Sequence, residues 1–223
     1  MKSQHNIFYR IGAAFCRKIL YRTKVEGLEN IPEEGALILC ANHTSKHDPV
    51  VIDALVGRKI QTMAKKEAFG NKFAGALIRS VGAFPVDRAG NDVAAVRYTI
   101  KLLRAGGALC IFPQGTRRPR IHPKDTPLRD GLGYFACKAK ATVVPVCIQT
   151  KEMKVKAFRT TYVTFGKPFV YDEYKPEKEC QEEYRALTAK FFSAVCDAMK
   201  DERTDWDKLA SIKSVDHKDE NTK

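Results

Sequence analysis

Short apolar runs alternate along the chain with segments of helical period. Residues 36–41, Ala-Leu-Ile-Leu-Cys-Ala, have no polar position and read as a strand buried on both faces, as do 108–112 and 143–148. Residues 61–64 and 82–86 read as shorter strands, and 161–165 alternate apolar with polar. Between them lie helical patterns over 50–56, 68–80, 132–140 and 183–200, the last carrying Tyr184, Leu187, Phe191, Phe192, Val195 and Met199 on one side. Another helix is expected after Asn91 or Asp92, either of which can cap it, with Val93, Val96, Ile100 and Leu103 as its apolar stripe and Gly106 as its end. Residues 27–35 form a turn-rich connector, and 117–129 a basic loop rich in proline. This alternation predicts an α/β fold: a layered domain with a mixed β-sheet flanked by helices. It is expected to span 25–200, with a polar tail over 201–223. Ahead of it, Ile7, Ile11, Ala14, Phe15 and Ile19 recur at helical spacing, so 1–24 is expected to hold an amphipathic N-terminal helix.

The polar residues just beyond two of these strands bring in chemistry. After the run ending at Ala41 come Asn42, His43, Thr44, Ser45, Lys46, His47, Asp48 and Pro49. Imidazole takes a proton near neutral pH, and a carboxylate beside it fixes the tautomer. Five positions along a regular helix turn the side chain by about 140°, so His43 and Asp48 can pair only if a loop separates them and Asp48 opens the next helix, with Pro49 as its first residue. Beyond the run ending at Phe112 come Pro113, Gln114, Gly115, Thr116, Arg117 and Arg118. Free backbone N–H groups, a hydroxyl and guanidinium groups suit a phosphate. A base beside a phosphate clamp suggests an enzyme that activates a hydroxyl on a phosphorylated substrate. His43 and His47 are four apart, as in a zinc pair, but Thr44 stands where the His-Glu-x-x-His pattern has glutamate and no third ligand is evident, so no metal is expected.

Composition narrows the partners. The 223 residues carry a net charge of +13, which implies an anionic partner. Six basic and no acidic residues lie in 1–24, whereas 201–223 hold seven acidic and five basic residues. A basic amphipathic segment with aromatic residues fits an anionic membrane surface, and no run approaches the ~18 apolar residues of a membrane span. The charges within 7–20 also leave no uninterrupted apolar core for a secretory signal. Nucleic acid is not expected: no zinc-finger spacing, aromatic RNA-binding stretch or recognition-helix signature is present. The seven cysteines lack a Cys-x-x-Cys pair, and Cys40, Cys110 and Cys147 fall within apolar runs, as reduced core thiols do.

These blocks resemble those of the 1-acyl-glycerol-3-phosphate acyltransferases, within the glycerolipid acyltransferase family. The first is Asn42-His43 through Asp48-Pro49. The second is Lys65-Lys66-Glu67 followed by Gly82 through Arg88, the third Phe112 through Arg117, the fourth Val143 through Val146. The resemblance covers residues 25–170 and implies a glycerol-3-phosphate-acyltransferase-like domain. It implies His43 and Asp48 as catalytic residues, and Lys65, Arg88, Gln114, Gly115, Thr116 and Arg117 as substrate-binding ones, Lys65 steadying a thioester oxygen or a phosphate. The implied reaction moves a fatty acyl group onto lysophosphatidic acid to give phosphatidic acid, with an acyl-CoA or acyl carrier protein thioester as co-substrate and no cofactor. Another lysolipid or glycerol 3-phosphate as acceptor, or a catalytically weakened lipid-binding protein, are the alternatives. The expected location is the cytoplasmic face of the cell membrane, held peripherally. The third block departs from the family pattern, which has glutamate where Gln114 stands. A carboxylate there would orient Arg117 through two parallel bonds, so Gln114→Glu is expected to raise activity modestly.

Overall fold

The computed structural model describes residues 12, 14–80, 82–87 and 92–209. The apolar runs become the strands β2 (Leu37–Ala41), β5 (Ala108–Ile111) and β6 (Thr142–Gln149), with β3 (Ile60–Lys65), β4 (Ala83–Val86) and β7 (Thr161–Phe165) beside them. Together with β1 (Thr23–Glu26) they make one seven-stranded sheet in the order β1-β7-β6-β2-β5-β3-β4. Five of them, β6, β2, β5, β3 and β4, run parallel; β7 is antiparallel to β6 and parallel to β1.

Each central strand is buried on both faces, so successive residues serve two cores. Ile38, Cys40, Leu109, Ile111 and Val143 face a layer made by α3 (Val93–Arg104), α4 (Gly131–Ala139) and α6 (Gln181–Asp197). Leu37, Leu39, Cys110, Val144, Val146 and Ile148 face Val51, Ile52, Leu55 and Val56, in and just after α1 (Asp48–Asp53). Removing a side chain of this size from water stabilises the fold by ~1.5–3 kcal/mol. The thiols of Cys40, Cys110 and Cys147 are free, buried, and pushed well above the usual thiol range by that burial. Gly133 of α4 lies so close to α6 that a Cβ there would sit 2.1 Å from the Tyr184 carbonyl oxygen, which is why the two helices cross here at a glycine. Two further short helices, α2 (Lys72–Ser80) and α5 (Tyr171–Tyr174), complete the layers.

Three boundaries differ from the expectations. Residues 23–26, expected to be divided between the N-terminal helical segment and the start of the domain, form β1, a strand of alternating exposure at the sheet edge. The helical segment therefore ends by Leu20, where residues 16–20 make a π-helical turn, and Tyr21 already packs in the core. Half of the predicted N-terminal segment, residues 1–11 and 13, lies outside the described residues. At the other end, the domain does not stop at 200. Arg203 and Lys200 both bind Glu26 of β1, whose carboxyl they hold below the usual range; Thr204 and Leu209 are buried. Polarity hid this because the contacts are ion pairs and a hydroxyl rather than an apolar stripe. Among the described residues, no helix is long and apolar enough to cross a membrane.

Candidate active site

β2 ends at Ala41, and the next residue anchors the loop beyond it. Asn42 is fully buried and both accepts from the Ile148 N–H (2.7 Å) and donates to the Ile148 carbonyl (2.9 Å), tying the loop to β6. The chain then turns so that α1 begins at Asp48, with Pro49 tolerated in its first turn, where no N–H partner is lost. The Asp48 carboxylate is fully buried and points back into the loop. Its Oδ2 accepts from the backbone N–H groups of Thr44 (2.6 Å) and Ser45 (2.8 Å), and its Oδ1 accepts from the Thr44 hydroxyl (3.2 Å).

The imidazole of His43 meets this cradle at 2.8 Å, Nδ1 to Oδ2. An oxygen already accepting two N–H bonds is an acceptor here as well, so Nδ1 carries the hydrogen and Nε2 carries the free lone pair. The His43 ring stacks on Phe112, 4.2 Å between centroids, and its side chain is 17% exposed. The base is thus fixed in tautomer and in orientation while remaining open to a substrate.

The loop after β5 holds the His43 backbone from both sides. The side-chain oxygen of Gln114 accepts from the His43 N–H (2.6 Å), and the Arg118 N–H donates to the His43 carbonyl (2.7 Å). Gly115 has φ +69°, a conformation other residues resist, and a Cβ there would lie 2.7 Å from the Arg129 side chain. Thr116 and Arg117 follow, both exposed. Gln114 is buried and bonds elsewhere than to Arg117: its oxygen is taken by the His43 N–H, and its amide nitrogen donates to the Thr126 hydroxyl (2.8 Å). The expectation that residue 114 orients Arg117 is therefore corrected. The physical reason is direction: the tight Gly115 turn sends Gln114 inward and Arg117 outward.

Lys65 arrives at the same edge by register. Thr62 stands opposite Cys110, and Cys40 opposite Ile111, so the ends of β2, β5 and β3 open on one side of the sheet. Lys65 is exposed there, paired in the sheet with Val86 of β4. Arg88, two residues further on, lies outside the described residues. In open α/β sheets ligands bind beyond these carboxyl ends. His47, the other loop histidine, packs against Tyr21, 5.6 Å between centroids, and burial followed by nearby Lys46 lowers its pKa. Among the described residues, no group of three His, Cys, Asp or Glu side chains could hold a metal ion.

Sequence reasoning missed Asn42, Ser45 and Thr126 as structural partners of the loop. The Ser45 hydroxyl donates to the Val155 carbonyl (2.9 Å). Asn42 and Ser45 stood inside a recognisable block, but their partners Ile148 and Val155 lie 106 and 110 residues away; Thr126 meets Gln114 only 12 residues back, across a loop with no regular spacing to point to it.

This arrangement has known counterparts. The acyltransferase family model matches residues 22–149. The chain is 35% identical over 127 residues to 1-acyl-sn-glycerol-3-phosphate acyltransferase of Bacillus subtilis (strain 168), a match covering 56% of this chain and 62% of that one. It is 34% identical over 153 residues to the protein of the same name from Streptococcus pneumoniae, covering 66% of this chain and 55% of the relative. The chain thus spans about three fifths of the length of these curated relatives. Its fold is similar to the crystal structure of the 1-acyl-sn-glycerophosphate acyltransferase PlsC from Thermotoga maritima, with a TM-score of 0.60, 23% identity, and coverage of 86% of this chain and 78% of that one. The matched span runs from β1 to the end of β6 and contains the whole His43–Asp48 loop and the loop that clamps it, so the chain belongs to the acyltransferase family.

Proposed function

We propose that this protein transfers a fatty acyl group from a thioester to the free hydroxyl of 1-acyl-glycerol 3-phosphate, giving phosphatidic acid. The observation that carries this reading is the His43 ring, locked by Nδ1 on a buried carboxylate with Nε2 left as base. Nε2 takes the hydroxyl proton as that oxygen attacks the thioester carbonyl carbon. The tetrahedral intermediate collapses with loss of the thiolate, and the imidazolium returns the proton to the departing sulfur. Asp48 stabilises the imidazolium between these steps. The carbon–sulfur bond broken is replaced by the new ester bond, so neither cofactor nor metal enters the balance. Thr116 and Arg117 are assigned to the acceptor phosphate, with Lys65 as a further cation at the same sheet edge and Arg88 as another candidate by its block; the Gly115 N–H, expected to join them, is instead taken by the Phe112 carbonyl (3.0 Å). The donor is an acyl-CoA or acyl carrier protein thioester.

An acyl-transfer assay with lysophosphatidic acid, glycerol 3-phosphate and neutral lysolipids, each with both carriers, tests this. Lysophosphatidic acid is expected to be the preferred acceptor; a protein that binds it without turnover would overturn the proposal. In the same assay Arg117→Ala raises the acceptor KM roughly tenfold to a hundredfold, since a charge-assisted bond to phosphate contributes ~1.5–3 kcal/mol. The donor KM stays close to native. Equal losses toward both substrates would move Arg117 out of the acceptor site.

A peripheral place on an anionic membrane surface belongs to the same proposal. Phe15 and Ile19 are exposed, four residues apart, beside Arg17 and Lys18. Each basic residue near such a surface contributes ~1 kcal/mol, so Arg17→Gln with Lys18→Gln weakens binding to anionic vesicles about thirtyfold. Co-sedimentation measures this; unchanged binding would leave the segment a purely structural one. A truncation is a poorer test if it runs to residue 24, because it removes part of β1 and the buried Tyr21.

A further inference from the structure

We propose that Thr126 is a positioning residue for the His43 base, acting through Gln114, and that the pair Gln114–Thr126 replaces the glutamate of the family pattern. This rests on the acyl-transfer reading above. The chain of bonds has one allowed direction. The His43 backbone N–H can only donate, so the atom of Gln114 facing it at 2.6 Å is its carbonyl oxygen. The Gln114 amide nitrogen is thereby turned to Thr126 Oγ1 at 2.8 Å and donates to it. Thr126 Oγ1, accepting there, gives its own hydrogen to the Pro123 carbonyl at 2.5 Å, which also accepts from the Thr126 N–H at 3.1 Å. Each donor meets an acceptor along this path, from His43 to the short 3-10 turn at Pro123–Asp125.

A glutamate at 114 completes this chain only by reversing the bond to Thr126. Ionised, it would bring an acceptor to the Thr126 hydroxyl, which would have to abandon Pro123 to donate. It would also bury a carboxylate where the neutral amide now accepts from the His43 backbone N–H. The amide at 114 and the hydroxyl at 126 are thus matched, and the expected gain on Gln114→Glu is replaced by an expected loss. What the link controls is the height of the His43 backbone above the end of β2, since its carbonyl is already fixed by the Arg118 N–H.

The test compares Thr126→Val, which keeps the shape and removes the hydroxyl, with Thr126→Ser, which restores it. Thr126→Val is expected to lower kcat roughly tenfold to a hundredfold, the effect of a misplaced catalytic group, with both KM values close to native. Thr126→Ser is expected to recover most of the rate. Gln114→Glu is expected to fall as far at neutral pH, with a descending limb below neutral pH in its pH–rate profile, absent from the native protein, where the introduced carboxyl ionises. Nuclear magnetic resonance of the His43 ring, read without substrate, is expected to show changed ring chemical shifts in Thr126→Val and native ones in Thr126→Ser. Native kcat and native ring shifts in Thr126→Val would overturn the proposal, as would equal loss in the valine and serine variants. A protein inactive toward every acceptor but showing the resonance change would refute the reaction and leave the positioning role standing.

Discussion

His43→Ala reduces acyl transfer by at least ~10²–10⁴-fold, the contribution of a positioned general base, and leaves the fold in place. The ring is partly exposed and stacked on Phe112, and its loss removes no residue from either core. The backbone clamps on His43 are made by its N–H and C=O, which alanine retains. Initial rates with lysophosphatidic acid and an acyl thioester measure the loss, and circular dichroism with thermal unfolding checks the fold. Near-native turnover would remove His43 from the mechanism altogether.

Asp48→Ala has the second large effect, and it falls on stability as well as rate. The buried carboxylate accepts from two backbone N–H groups, a hydroxyl and the imidazole. Alanine leaves the Thr44 and Ser45 N–H groups unpaired, at ~1–3 kcal/mol for each that water does not reach. Turnover is expected to fall by ~10⁴-fold, the scale reached when a catalytic histidine loses its orienting carboxylate. Asp48→Asn separates the two roles. Its single oxygen can take the place of Oδ2 and keep the loop and the tautomer, while the Thr44 hydroxyl rotates to accept from the new amide. The charge opposite the imidazolium is then the main loss, so the rate falls on the order of 10²-fold with stability close to native. A large destabilisation of the asparagine variant would show that the carboxylate's charge, and not only its shape, holds the loop.

What could be read in the sequence was whatever is local. The runs at 37–41 and 108–111 announce strands because both faces are buried and no position needs to be polar. The His43–Asp48 pair was legible because its partners lie five residues apart, within one turn. β1 was not: Thr-Lys-Val-Glu is short, half charged, and a strand only because β7, more than 130 residues later, lies beside it. The insertion of β6 between β7 and β2 is likewise a matter of crossover connections, which composition does not encode. Gln114 shows the same limit within the site. Its residue type raised the right question, but the answer lay with Thr126 and with the direction of a backbone N–H.

The chain's single tryptophan, Trp206, lies in the C-terminal stretch that packs on the domain, and its ring stacks on His122, 4.9 Å between centroids. His122 caps the 3-10 turn whose Pro123 carbonyl receives the Thr126 hydroxyl. Burial, then the neighbouring Lys124, lowers the His122 pKa, so the ring stays neutral to somewhat below its ordinary titration range. An imidazolium quenches indole emission where neutral imidazole does so less. The protein therefore carries an intrinsic optical probe of the loop that supports its base, readable without a label and without substrate.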